Sequence, residues 1–193
     1  MNYELVKIPA SFKNDFFKMS KKEAKEYLDW FTAIVPSRMS ILNDYLLDYC
    51  PVWESSYSRE SLSLLSEVFP QMVSSTGMPN EKQSGKKMFI KGAFKKIEIT
   101  PDKGLSNLTV SFCFDVAIYF GECLRLACNL PWELNVDSKK NINYGQPVLK
   151  KTGSPVELNP RLIVENLAHK VLEGDLPDKQ LVLLYDNWKK LLT

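Results

Sequence analysis

A chain of 193 residues with 45% apolar and 25% charged residues has an ordinary globular composition and length enough for one useful core. Its formal charge of +2 provides no bulk attraction to nucleic acid or to acidic partners. The opening MNYELVKIPASF lacks the basic region and apolar run of a signal peptide, and Asp115, Glu122 and Arg125 interrupt the greasiest stretch, so neither secretion nor a membrane span is expected.

Taken in chain order, residues 1–19 carry Leu5, Val6, Ile8, Phe12, Phe16 and Phe17, read as a short strand followed by a turn of helix. Ser20 and Glu23 then form a capping box, each side chain satisfying a backbone N–H of the other. Ala24, Tyr27, Leu28, Phe31, Ile34 and Val35 give the apolar face of an amphipathic helix, which Pro36 should end or kink. The pattern resumes with Ile41, Leu42, Tyr45, Leu46 and Tyr49 up to Pro51, and a third helix is expected over 58–69, with Leu62, Leu65, Val68 and Phe69 inward. The first half, 1–69, therefore reads as all-helical.

From 70 to 87 Gly, Ser, Pro, Asn and Lys dominate, the composition of a long mobile loop. Residues 88–100 are strand-like, and 101–104 form a turn.

Residues 106–131 then read as one long buried helix, capped by Ser106 and closed by Pro131. Gly121 lowers helix propensity by about 1 kcal/mol, for which close approach of another backbone is the expected return. At 100° per residue Asp115, Tyr119, Glu122, Arg125 and Asn129 share an arc of roughly a third of the helix surface, into which Ile118 and Leu126 intrude.

Beyond this helix, Trp132, Leu134 and Val136 alternate with polar residues, as do Ile142 and Tyr144 before Gln146-Pro147-Val148-Leu149, so a β-hairpin is expected. Asn159 followed by Pro160 starts a further helix with Ile163, Leu167 and Val171 inward, and Gly174 ends it. A last helix from about Asp178 places Leu181, Leu184, Tyr185, Trp188, Leu191 and Leu192 on one stripe, with Lys189 and Lys190 at its C-terminal dipole end. The whole reads as a single α+β domain, mostly helical, with a buried central helix and a small antiparallel β-hairpin; 88–193 hold the central helix, the hairpin and two closing helices.

Several clusters invite a functional reading. Glu122 and Arg125 are three apart and able to pair, so the row Asp115, Glu122, Arg125 reads first as a structural ion-pair network. The competing reading is a catalytic or binding pocket closed by the 70–87 loop, with two carboxylates available for acid–base work. Lys82, Lys86, Lys87, Lys91, Lys95 and Lys96 with Phe89 and Phe94 form a basic, aromatic stretch suited to gripping single strands, but Glu81, Glu98 and Asp102 dilute it and edge-strand lysines are the favoured reading.

Four cysteines, Cys50, Cys113, Cys123 and Cys128, lack paired-ligand spacing; Cys123 and Cys128 lie about 140° apart on a helix. Buried thiols in a reduced, cytosolic protein are expected. His169 is the lone histidine, and no nucleophile elbow, zinc-protease, dinucleotide or phosphate-loop motif occurs. Ser84-Gly85-Lys86-Lys87 lacks the upstream glycine of a phosphate loop. No cofactor and no metal site are expected, and Trp30, Trp53, Trp132 and Trp188 read as core or interface anchors.

Residues 19–31 (MSKKEAKEYLDWF) with Arg38, and 115–122 (DVAIYFGE) with Trp132 and Gln146-Pro147-Val148, resemble a pattern of small bacterial proteins. Some such proteins look like immunity proteins of bacterial toxin systems. The resemblance implies a cytosolic, non-enzymatic protein that binds another protein, a toxin, and it places the family's signature on Asp115, Tyr119, Gly121, Glu122 and Trp132. An enzyme built on Asp115, Glu122 and Arg125, and a nucleic-acid binder built on Lys82 to Lys96, stand as the alternatives.

Overall fold

The computed structural model describes residues 3–13, 15–76, 104–175 and 177–193. Its elements are α1 (Lys21–Tyr49), α2 (Arg59–Met72), α3 (Asn107–Cys128), β1 (Trp132–Leu134), β2 (Pro147–Lys150), β3 (Glu157–Leu158), α4 (Pro160–Glu173) and α5 (Gln180–Leu192). This is a mostly helical α+β domain with a small antiparallel sheet. The strand-like stretch 88–100, the basic segment Lys82 to Lys96 and most of the expected 70–87 loop lie outside the described residues.

α3 is the centre of the fold, and α1, α2, α4 and α5 all pack against it. Every residue from Ser111 to Leu124 is buried, polar ones included. Ser106 caps it by accepting from the Thr109 N–H at 3.1 Å, and Asn129 ends it in the left-handed conformation at φ 52°.

The first half departs from expectation at its prolines. α1 runs unbroken through Pro36, so two expected helices are one of 29 residues. An interior proline costs about 3 kcal/mol. Here Ala24, Tyr27 and Phe31 before it, and Met39, Leu42 and Leu46 after it, are buried in the same core, and that shared burial offsets the lost hydrogen bond. The Ser20–Glu23 capping box forms as expected. α2 similarly passes Pro70 to end at Met72, which is buried beside Phe69, so the helix reaches into the expected loop. Beyond it Ser75 pairs with Leu105, and Ser74 accepts from Ser106 N–H at 3.0 Å, joining the exit of α2 to the entry of α3.

The N-terminal stretch forms no strand; a 3-10 turn over Phe16–Lys18 is its regular element among the described residues. Its anchors are Tyr3 and Met19, both buried, whereas Leu5, Ile8 and Phe17 are exposed.

The sheet has the order β1-β2-β3, all antiparallel, with Trp132 opposite Leu149 and Lys150 opposite Glu157. The expected hairpin is thus shortened, and a third strand is added. Residues 138–145 turn instead of pairing, because their side chains take the backbone's hydrogen bonds. The Asn141 side-chain Oδ1 accepts from Asn143 N–H at 2.9 Å, and Gly145, at φ 73°, donates to the Asn135 backbone carbonyl at 2.7 Å. Tyr144 is buried and Ile142 exposed.

Asn159 caps α4 and Gly174 closes it at φ 75°, as the sequence indicates. The buried stripe of α4 is Pro160, Val164, Leu167 and Ala168, one position round from the expected one, with Ile163 and Val171 half-buried. In α5 Leu192 is buried and Leu191 exposed, so the expected stripe loses a member at the last turn.

Candidate functional site

The polar row on α3 divides among three neighbours. Asp115 receives Arg38 Nε at 2.8 Å on Oδ1 and Arg38 Nη2 at 2.5 Å on Oδ2, and the Tyr3 hydroxyl also donates to Oδ2. Arg38 Nη2 donates in addition to the Glu4 carbonyl at 2.9 Å. Asp115 is 0% exposed and Arg38 5%. Burial pushes the Asp115 carboxyl above its usual range against the pull of Arg38 and Tyr3. The two-pronged geometry is nevertheless that of an ion pair. Burial works against the Arg38 charge too, but Asp115 outweighs it and holds the guanidinium above its ordinary value. Burial, and then the Asp115 charge, push the Tyr3 phenol well up.

One turn on, the Tyr119 hydroxyl donates to Ser61 Oγ at 2.7 Å and accepts from the Tyr57 N–H at 3.1 Å. Burial pushes this phenol up to about 12. Tyr57 holds the left-handed conformation, φ 50°, and its ring stacks on Tyr119 at 5.0 Å. Tyr119 therefore joins the start of α2 to the central helix.

Glu122 and Arg125 pair as expected, Nε lying 2.9 Å from both carboxylate oxygens and Nη2 2.8 Å from Oε2. Trp132 Nε1 donates to Glu122 Oε1 at 2.6 Å. The indole lies across Gly121: a Cβ there would sit 2.7 Å from Trp132 Cζ2 and 3.1 Å from Pro160 Cγ. The close approach that Gly121 allows is therefore made by two side-chain rings rather than a backbone. Phe31 meets the same indole edge-on at 5.0 Å.

Asp115 and Glu122 share no hydrogen-bond partner, and two helical turns, about 10.5 Å of rise, separate them. Neither lines the two hollows described next. A narrow apolar one of about 20 Å³ lies among Phe16, Tyr27, Phe31, Phe114, Trp132 and Pro160. An open groove of about 480 Å³ runs between residues 4–7 and the α1 residues Trp30, Ile34, Ser37, Arg38, Ser40 and Ile41. Asp115 contacts this groove only through Arg38, whose outer side forms part of the wall. Tyr119 and the Glu122–Arg125–Trp132 unit stand apart from it.

A second polar cluster carries no sequence motif. Glu157 accepts from Asn135 Nδ2 at 2.7 and 2.6 Å, from Lys150 Nζ at 3.1 Å and from the Asn141 and Asn143 amides at 3.3 Å. Burial pushes its carboxyl up, but the bonds from Asn135, Asn143 and Lys150 outweigh that and hold it below the usual carboxylate range. Asn159 adds bonds to Asn143 and Gln146 at 3.2 Å. The cluster holds the 135–146 turn against β3 and the start of α4. Its signal in the sequence was only a density of Asn near one Glu.

All four cysteines are free, Cys113 and Cys123 buried and Cys50 and Cys128 half-buried. Burial pushes the Cys113 thiol up to about 12. His169 is half-buried on α4. Among the described residues no group of three or more His, Cys, Asp or Glu side chains is placed to hold a metal ion, and no helix is long and apolar enough to cross a membrane.

No family model, no curated protein and no solved structure matches this chain.

The residues of the groove were missed as a site. Ile34 and Ile41 read as inward positions of an amphipathic helix and Trp30 as a core or interface anchor, yet all three are only half-buried. The available signal was a second apolar line, 30-34-41, beside the fully buried line Tyr27, Phe31, Leu42 and Leu46.

Proposed function

We propose that this chain is a non-enzymatic protein-binding module that takes a segment of another protein into the groove between residues 4–7 and α1. The observation that carries this reading is the groove itself, an open hollow of about 480 Å³ with Trp30, Ile34 and Ile41 along one wall. Peptide-recognition grooves combine such apolar anchors with backbone and a few fixed polar groups. The opposite wall here is irregular chain, and among the described residues the backbone groups of Leu5 and Lys7 make no hydrogen bond. Leu5 is 42% exposed beside them. The rigid side is supplied by the Arg38–Asp115–Tyr3 box, which fixes residues 3–6 against α1 and α3. The resemblance to immunity-like bacterial proteins fits the same reading, with a toxin as the bound protein and occlusion of its active surface as the effect.

The test is selection of a random peptide library displayed on phage against the whole protein. Peptides should be enriched, and Ile34→Glu, verified as folded by circular dichroism, should weaken the best of them by about tenfold or more, since a charge replaces an apolar anchor. No enrichment, or equal binding to Ile34→Glu, would refute the reading.

A further inference from the structure

The groove's own chemistry narrows what it accepts. Arg38 is 95% buried by its 5% exposure, yet it lines the groove. Its Nε and Nη2 groups are spent on Asp115 and the Glu4 carbonyl. Its Nη1 amino group donates to nothing among the described residues and is not sealed from solvent, since Ser66 Oγ is the one fully buried side-chain polar atom there without a partner. A nearly buried guanidinium thus keeps one solvent-reached donor on a groove lined by both apolar and polar residues.

That donor carries little spare charge. Asp115 neutralises Arg38 from behind at 2.5 and 2.8 Å, and on the wall Glu4 and Lys7, both exposed, oppose one another. An anion entering here would meet a charge already matched and would lose its hydration for one hydrogen bond. A neutral carbonyl gains the same bond at far lower desolvation cost.

Resting on the protein-binding reading, we infer that the groove is specific for an uncharged apolar peptide segment, one of whose backbone carbonyls accepts a hydrogen bond from Arg38 Nη1 while its side chains pack on Trp30, Ile34 and Ile41.

The experiment uses the full chain, labelled with ¹⁵N, and three probe peptides of alternating leucine and serine. One is blocked at both ends, one carries a glutamate at its centre, and one has a free C-terminal carboxylate. With the blocked peptide the Trp30 indole and the Arg38 guanidinium resonances should both shift on one titration curve, and both acidic peptides should bind more weakly. If an acidic peptide binds as tightly as the blocked one or tighter, the groove does not select an uncharged segment and the inference falls. If Trp30 shifts while Arg38 does not, the groove binds peptides but not through this donor, so the inference falls and the binding reading stands. If neither resonance moves with any probe, the inference falls, and the phage selection separately decides the broader reading.

Discussion

Replacing Gly121 by alanine sets two known effects against each other at one position. In an isolated helix the change would add about 1 kcal/mol of stability. In this fold the new methyl would lie 2.7 Å from Trp132 Cζ2 and 3.1 Å from Pro160 Cγ, so the indole has to move. It cannot move freely, because its Nε1 is held by Glu122 at 2.6 Å and Phe31 meets it edge-on at 5.0 Å. Overpacking of this kind costs about 1–3 kcal/mol, and losing a hydrogen bond to a charged group about 1.5–3 kcal/mol. Less the helix gain, Gly121→Ala should destabilise by about 1.5–5 kcal/mol. In urea the midpoint should fall by about 1–2 M with the slope unchanged. The same substitution in a Trp132→Leu background should cost less by about 2 kcal/mol or more, because the clash has gone. A Gly121→Ala protein as stable as the parent, or an equal cost in both backgrounds, would refute the reasoning.

Asp115→Asn should destabilise by about 3–5 kcal/mol in urea unfolding, since it leaves the Arg38 charge buried without its counter-charge, whereas the double change Arg38→Met with Asp115→Leu should cost clearly less. The folded Glu157 carboxyl is held below its ordinary range, so its contribution to stability is full above about pH 4.3 and is lost as pH falls through the lowered value. Urea midpoints measured from pH 7 to pH 3 should therefore show a shallower acid decline in Glu157→Gln than in the parent, and parallel curves would contradict the network drawn around this residue. Native iodoacetamide labelling followed by mass spectrometry should modify Cys50 and Cys128 before Cys113 and Cys123, because the last two are buried and the Cys113 thiol is pushed up to about 12. Early labelling of Cys113 would place α3 outside the core.

Local signals decided four of the five α-helix starts among the described residues. Ser20, Ser58, Ser106 and Asn159 cap the helices they precede, because a cap depends on residues within one turn of each other. The buried central helix was legible for a similar reason, since fourteen consecutive positions from Ser111 to Leu124 carry hardly any side chain that water would retain. The Glu122–Arg125 pair followed from spacing alone.

What the sequence left open was every decision that needs a partner from far along the chain. Pro36 and Pro70 look like helix stops until the core on both sides of them is assembled, and only that burial outweighs their local cost. Arg38 stands 77 residues from Asp115 and Tyr3 stands 112, so nothing in local periodicity could join them into one box. The groove is the same kind of fact. Trp30, Ile34 and Ile41 are apolar helix positions whichever way they face, and it is the course of residues 4–7 beside α1 that leaves them lining an opening instead of filling the interior. Short-range hydrogen bonding and periodicity therefore determined where most of the helices begin and which one is buried, whereas long-range packing decided which polar groups are spent holding the fold and which one faces outward.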